Sequence, residues 1–311
     1  MEVSRRAAIE GIAALAALAA CGTAEKDPGF AASNAQSSQF TGATVFESAV
    51  AALEARHKAH VGVFALDTGS GNTLEHRADQ RFMMCSVWKT LVVGLVLRRA
   101  QADPGLLAAS AVIPADPGPI AEDSPFAKGR LGQTATYSEL CGAAIRLSDN
   151  IAANILLQQF GGPPAVTDFV RSLGDATTRL DRYEEEMNYG SPEDLLDTTT
   201  ARALASTYQK LLLGDALAPP QRQQLTDWME GTTTGLHRIR AGLPAAWRVA
   251  DKTGTAGRRQ GNANDVAIAW PDGGRAPLAI SVLTVAPGVA KPDDRLLADV
   301  ASAARSALAL K

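Results

Sequence analysis

Two periods of apolar and polar positions run along this chain, and the change from one to the other divides it. From about residue 43, "TVFESAVAALEARH" places apolar residues at helical spacing and predicts an amphipathic helix. "HVGVFALDTGSGNTLEHRAD" then alternates on either side of a Gly-rich turn and predicts two strands. A long helical stretch follows from Ser86 to about residue 230, broken by loops at 102–136 and 179–197, with the run Leu91 to Leu97 as core. The end returns to strands in "AWRVADKTGT", "NDVAIAWPDGG" and "APLAISVLTVAPG", and closes on the helix "DRLLADVASAARSALAL". Strands at both ends with helices between predict an α+β fold. One antiparallel sheet is assembled from both ends and covered by the terminal helices, and the middle of the chain forms an all-helical lobe. The expected domain covers 43–311, with 43–80 plus 230–311 as the α/β lobe and 81–229 as the helical lobe. The cleft between the lobes is the natural ligand site.

The N-terminus does not fit this pattern. "MEVSRRAAIEGIAALAALAACG" sets two arginines before an Ala/Leu stretch ending in small residues, the shape of an export signal. Arg5-Arg6 fits a twin-arginine signal and equally the charged start of any export signal. "LAAC" resembles a lipobox, so residues 1–20 are read as a signal, and Cys21 as the acylated N-terminus of an exported, lipid-anchored envelope protein on the outer face of the cytoplasmic membrane. The alternative is a plain secretory signal and a periplasmic or secreted protein. Residues 22–42 are small and polar without periodicity, and read as a flexible tether.

Composition narrows the chemistry. A net charge of −3 leaves no basic face for nucleic acid. No pair of the four histidines, His57, His60, His76 and His237, has a metal-ligand spacing such as H-E-x-x-H, so no metal is expected. With Cys21 set aside, Cys85 and Cys141 remain in apolar surroundings and read as small buried thiols.

Four short motifs carry the candidate chemistry. Ser86 and Lys89 stand one helical turn apart in "SVWK"; alone, they are also a helix cap and a snorkelling lysine. Ser148-Asp149-Asn150 follows the helix "YSELCGAAIR", and alone reads as a helix end followed by an N-cap. "LDRYEEEMN" contains an acidic run that alone is a solvated patch, and Lys252-Thr253-Gly254 ends a strand. Taken together and in this order, Ser-x-x-Lys, Ser-Asp-Asn and Lys-Thr-Gly are the signature of active-site serine β-lactamases and penicillin-binding proteins. "RYEEEMN" resembles the loop of class A β-lactamases in particular, and the resemblance extends over residues 43–311.

That resemblance implies hydrolysis of β-lactam antibiotics, and hence resistance, by a monomer that takes a small-molecule substrate and needs no cofactor. Ser86 would be the nucleophile. Lys89, or Glu184 acting through water, would take its proton; the choice is disputed for the family. Glu184 would be the deacylation base, with Asn188 holding the water. Ser148 would protonate the departing nitrogen, Asn150 would bind the acyl side-chain amide, and Lys252, Thr253, Gly254 and Thr255 would line the carboxylate end. The backbone N–H groups of Ser86 and Thr255 would form the oxyanion hole. Arg238 in "HRIR" matches a position where some members keep a second carboxylate-binding cation. Opposite charges on Arg182 and Asp197 would close the neck of the loop, and Asp197 would also cap the helix beginning "TTTARALA".

Two positions depart from the family pattern. Asp123 stands where most members carry an aromatic residue before Ser-Pro, and Glu185 stands where many carry proline after the general base. The Glu184–Glu185 bond is nevertheless expected to be cis. Two other functions share the motifs: a D,D-peptidase or penicillin-binding protein, which lacks the base at Glu184, and an envelope β-lactam-binding protein without turnover.

Overall fold

The computed structural model describes residues 41–190, 194–256, 261–289 and 293–310. The export signal, Cys21 and nearly all of the tether lie outside the described residues. Helix α1, Thr41–His57, begins two residues earlier than the pattern suggests.

Five strands form one antiparallel sheet in the order β2 (Thr73–His76), β1 (His60–Asp67), β9 (Leu278–Val285), β8 (Asn262–Trp270), β7 (Arg248–Ala256). The first strand of the chain therefore pairs with the last, in a register that sets Val63 opposite Val282. Side chains alternate across this sheet. Val61, Val63, Ala65, Ile280 and Val282 pack beneath α1 and the last helix, α9 (Asp294–Ala307), with Phe46, Val50, Leu297 and Val300. Phe64, Val266, Ile268, Ala279 and Leu283 face the other way, into a second core shared with the helices. Both faces are buried, so β1 and β9 at the centre are largely apolar.

The helical core is built on α2 (Lys89–Ala100), which the 3₁₀ turn Cys85–Trp88 leads into. Around it pack α4 (Tyr137–Arg146), α5 (Asn150–Gln159), α6 (Gly162–Ser172), α7 (Ala201–Leu212) and α8 (Pro219–Glu230). α4 begins with a capping box of Thr136 and Glu139. Two pairs of three-residue strands lie outside the expected pattern. Within the loop 102–136, β4 (Ser110–Val112) pairs with β5 (Thr134–Thr136), flanking the one-turn helix α3 (Pro125–Lys128). Ahead of Ser86, β3 (Arg81–Met83) pairs with β6 (Thr198–Thr200) at the far end of the 179–197 loop. Cys85 and Cys141 are buried free thiols, as expected, and burial pushes both well above the ordinary thiol range.

Candidate active site

Three segments converge on Ser86. The 3₁₀ turn that carries it is pinned to the sheet by Asn264 of β8, whose amide donates to the carbonyls of Met83 (2.8 Å) and Met84 (3.0 Å). The outer strand β7 then comes close against the turn. A Cβ on Gly254 would lie 2.7 Å from the Met84 carbonyl oxygen and 3.0 Å from the Ser86 nitrogen. Only glycine allows that approach. It sets the end of β7, with the exposed Thr255, beside the Ser86 amide, the neighbourhood an oxyanion hole requires.

The second segment is the turn between α4 and α5. Ser148 adopts a left-handed φ of 56° there. Asp149 does more than end a helix. One carboxylate oxygen caps α5 through Ala152 N–H, and the other accepts from Phe126 and Ala127 N–H, so the whole turn is rigid. Lys89 Nζ donates to the Ser148 carbonyl (2.7 Å), the Ser148 hydroxyl (3.3 Å) and Asn150 Oδ1 (2.5 Å). On the other side, Lys252 Nζ donates to Ser148 Oγ (3.0 Å) and to the Thr253 carbonyl. The Ser148 hydroxyl thus sits between two ammonium groups.

The third segment is the 179–197 loop. Its neck closes as expected: Arg182 Nε donates to Asp197 Oδ2 at 2.6 Å, and the Asp197 side chain has no solvent exposure. The backbone N–H groups of Asp181 and Arg182 donate to the other Asp197 oxygen. Asp197 does not cap the following helix, because those bonds occupy its carboxylate; Thr200 caps α7 instead, through Ala203 N–H. The Glu184–Glu185 bond is cis, as expected. Asn154 grips Glu184 at both backbone ends, accepting its N–H and donating to its carbonyl. Glu184 is buried. Its Oε1 accepts from Ser86 Oγ (3.2 Å) and Trp88 Nε1 (3.0 Å) and lies 3.4 Å from Lys89 Nζ, while Oε2 accepts from Asn188 Nδ2 (2.8 Å).

Burial lowers the Lys89 ammonium below the ordinary lysine range, and the Glu184 charge beside it opposes the shift. Lys252 falls well below that range through burial, and the charge of Lys89 pushes in the same direction. Behind Lys252, burial raises the carboxyls of Asp251 and Asp265 despite the neighbouring arginines. Among the described residues, no group of three or more acidic, His or Cys side chains is placed to hold a metal.

Arg238 is held between β7, β8 and the last helix. It is buried, and it donates to Asp294, to the carbonyls of Gly254 and Asn264, and through Nη2 to the Thr255 hydroxyl at 2.7 Å. These four bonds draw its guanidinium into the protein, and its link to the open cleft is the Thr255 hydroxyl. The structure also adds residues that the motifs do not name. Trp88, Asn154 and Asn264 position the reacting groups, and the exposed Thr234 bonds the Thr253 hydroxyl at 2.7 Å. Asn150 and Asn154 stand four apart on one helix face, a spacing visible in the sequence; nothing in the pattern marks Asn264 or Thr234.

Ser86, Lys89, Ser148, Glu184 and Lys252 therefore form one polar cluster between the sheet edge and the helices. Comparison with known proteins agrees in kind. A family model described as the β-lactamase enzyme family matches residues 45–308. The carbapenem-hydrolyzing β-lactamase KPC of Klebsiella oxytoca is 48% identical over 258 residues, covering 83% of this chain and 86% of that protein. β-Lactamase AST-1 of Nocardia asteroides is 48% identical over 288 residues, 91% of each chain. A β-lactamase structure from Streptosporangium roseum superposes with a TM-score of 0.81 at 38% identity, covering 86% of this chain and 99% of that one. With Ser86, the two lysines and the buried glutamate in one constellation, the chain belongs to the β-lactamase enzyme family, in its class A serine branch.

Proposed function

We propose that the chain hydrolyses β-lactams by way of an ester on Ser86. The observation that carries this reading is the buried Glu184 carboxylate, which accepts directly from the Ser86 hydroxyl while Asn188 holds its other oxygen. Ser86 Oγ attacks the lactam carbonyl carbon, and its proton passes to Glu184, the acceptor its hydroxyl faces. Lys89, 3.4 Å from that carboxylate, keeps the charge balanced. As the C–N bond breaks, the nitrogen takes the Ser148 proton. Lys252 and Lys89, both bonded to Ser148 Oγ, are the donors that restore it. The proton on Glu184 returns to the Lys89 amine 3.4 Å away, which frees the carboxylate. Water then gives a proton to Glu184 as it attacks the ester, and Ser86 leaves as the hydroxyl with that proton.

Asn150 binds the acyl side-chain amide. Lys252, with the hydroxyls of Thr253 and Thr255, takes the substrate carboxylate. Arg238 acts on that carboxylate through the Thr255 hydroxyl it holds, and is a positioning residue. The test is the colour change of nitrocefin with purified protein, alongside Ser86→Ala. Wild-type turnover with none in Ser86→Ala supports the reading. Stoichiometric acylation without turnover would instead assign a penicillin-binding protein.

Export through residues 1–20 and a lipid anchor at Cys21 rest on the sequence of that segment. No helix among the described residues is long and apolar enough to cross a membrane. Wild-type protein should fractionate with membranes and Cys21→Ala should not; an unmodified, wholly soluble wild-type protein would exclude the anchor.

A further inference from the structure

The cleft has a charge polarity that the catalytic reading leaves unused. Its β7 end is cationic, with Lys252 at its base. Its opposite rim, where Asn150 would receive the acyl side chain, carries an exposed carboxylate, Asp123. The backbone carbonyl of Asp123 accepts the Asn150 N–H at 3.1 Å, so the two residues are direct neighbours across the cleft wall.

The turn carrying Asp123 is held on three sides. Ser124 Oγ accepts from Ile151 N–H and donates to the Ile120 carbonyl. Asp149 receives the next two free backbone donors, Phe126 and Ala127 N–H. These bonds tie residues 120–127 to the start of α5, the same turn that presents Ser148 and Asn150. Asp123 is therefore carried at a fixed place beside Asn150. Among the described residues no cation forms an ion pair with it; Arg130, on the same segment, is committed to Glu139 and to the face of the Phe126 ring. The neighbouring Glu122 is exposed and acidic as well. The Asp123 charge reaches the buried Lys89, whose ammonium it favours, which places its field inside the cleft.

We propose that Asp123 is a specificity-determining residue: its carboxylate at the Asn150 rim favours β-lactams with a positive charge on the acyl side chain and disfavours those with a second negative charge there. The inference rests on the β-lactamase reading of the site and adds the substrate class it prefers. A β-lactam joins its carboxylate and its acyl side chain through the fused ring and amide. A molecule with the carboxylate at Lys252 and an ammonium at Asp123 matches both ends of the cleft. A dianion matches one end and is repelled at the other.

The magnitude follows from the exposure of Asp123. A solvent-exposed ion pair changes an affinity by about threefold to fivefold, and repulsion of like charges by about the same. Compared as a ratio, the two substrates should differ by about tenfold on account of this one residue. The effect should shrink with salt, since screening acts over roughly 10 Å at 0.1 M ionic strength.

The probes are ampicillin and carbenicillin, which differ at one carbon, where one bears an ammonium and the other a carboxylate. At about pH 6 the α-amino group is protonated. The ratio of their kcat/KM values is measured for wild type, Asp123→Asn and Asp123→Lys, at low and high salt. The expected result is a ratio that falls about tenfold in Asp123→Asn, falls further in Asp123→Lys, and loses its salt dependence in Asp123→Asn. A ratio that stays within about twofold of wild type in both variants would overturn the proposal, even if every variant hydrolyses both drugs. If the wild type is acylated but does not turn over, the hydrolase reading fails. The same ratio, taken from second-order acylation rates by intact-protein mass, then still decides the role of Asp123.

Discussion

Glu184→Gln tests the division of labour at Ser86, because the structure predicts that it removes a base and little else. The glutamine can keep its oxygen where Glu184 Oε1 now accepts from Ser86, Trp88 and Lys89. Its –NH₂ then faces Asn188, whose Nδ2 would clash as a second donor. The Asn188 Oδ1 atom, however, is buried without a partner, so a flip of that amide supplies the acceptor. The packing around the loop survives. The charge does not: the Glu184 carboxylate is what opposes the effect of burial on Lys89, and without it the Lys89 ammonium loses its proton more readily still. A neutral Lys89 amine is itself a base, which keeps acylation of Ser86 open. Deacylation has no such substitute. Loss of a general base costs about 10²–10⁴-fold, or roughly 3–5 kcal/mol of barrier. The expected result is a protein that gains the mass of one β-lactam on the peptide containing Ser86, shows a nitrocefin burst of one equivalent, and then turns over about 10²–10⁴-fold more slowly. Wild-type steady-state turnover in Glu184→Gln would refute the assignment of the deacylation base. Loss of acylation in a folded variant would instead show that Glu184 alone activates Ser86.

Asp197→Asn keeps an oxygen for the Asp181 and Arg182 N–H groups but turns an –NH₂ toward Arg182 Nε; it should lower stability by about 1.5–3 kcal/mol in urea unfolding, the worth of a charged hydrogen bond, and slow deacylation more than acylation, whereas unchanged deacylation would separate the loop neck from the position of Glu184. The depressed Lys252 ammonium predicts an alkaline limb in kcat/KM below the ordinary lysine value of about 10.4, because the charged form is lost as pH rises through the folded-state pKa. In the same window the unfolded chain binds the extra proton, so this group makes folding stability rise with pH while activity falls, and Lys252→Arg should move the activity limb upward; an unmoved limb would assign it to another group.

The sequence alone determined the kinds of elements and the chemistry of the motifs. Period-2 and helical spacing each survive on a single element, because burial acts on one face at a time. The residues of the Arg182–Asp197 neck and the cis bond after Glu184 were legible from the resemblance of one loop. Tertiary structure decided everything that depends on register and close approach between distant segments. Three-residue strands such as β3 and β6 are too short for a period, so their pairing, which ties the Ser86 turn to the end of the Glu184 loop, left no trace in the pattern. The N-cap of α7 fell to Thr200 because Asp197 is consumed by the loop neck, a competition that only the folded chain displays. Gly254 reads as part of a strand end in the sequence; its role is to let an edge strand touch the Ser86 amide. Arg238 carries the same charge on the page and in the fold, yet its place against β7 and β8 was set by four hydrogen bonds to groups far along the chain, and those bonds made it a support for Thr255. Residue type limits which chemistry is available, while distance, which decides what that chemistry acts on, arises only when the sheet edge and the helices meet.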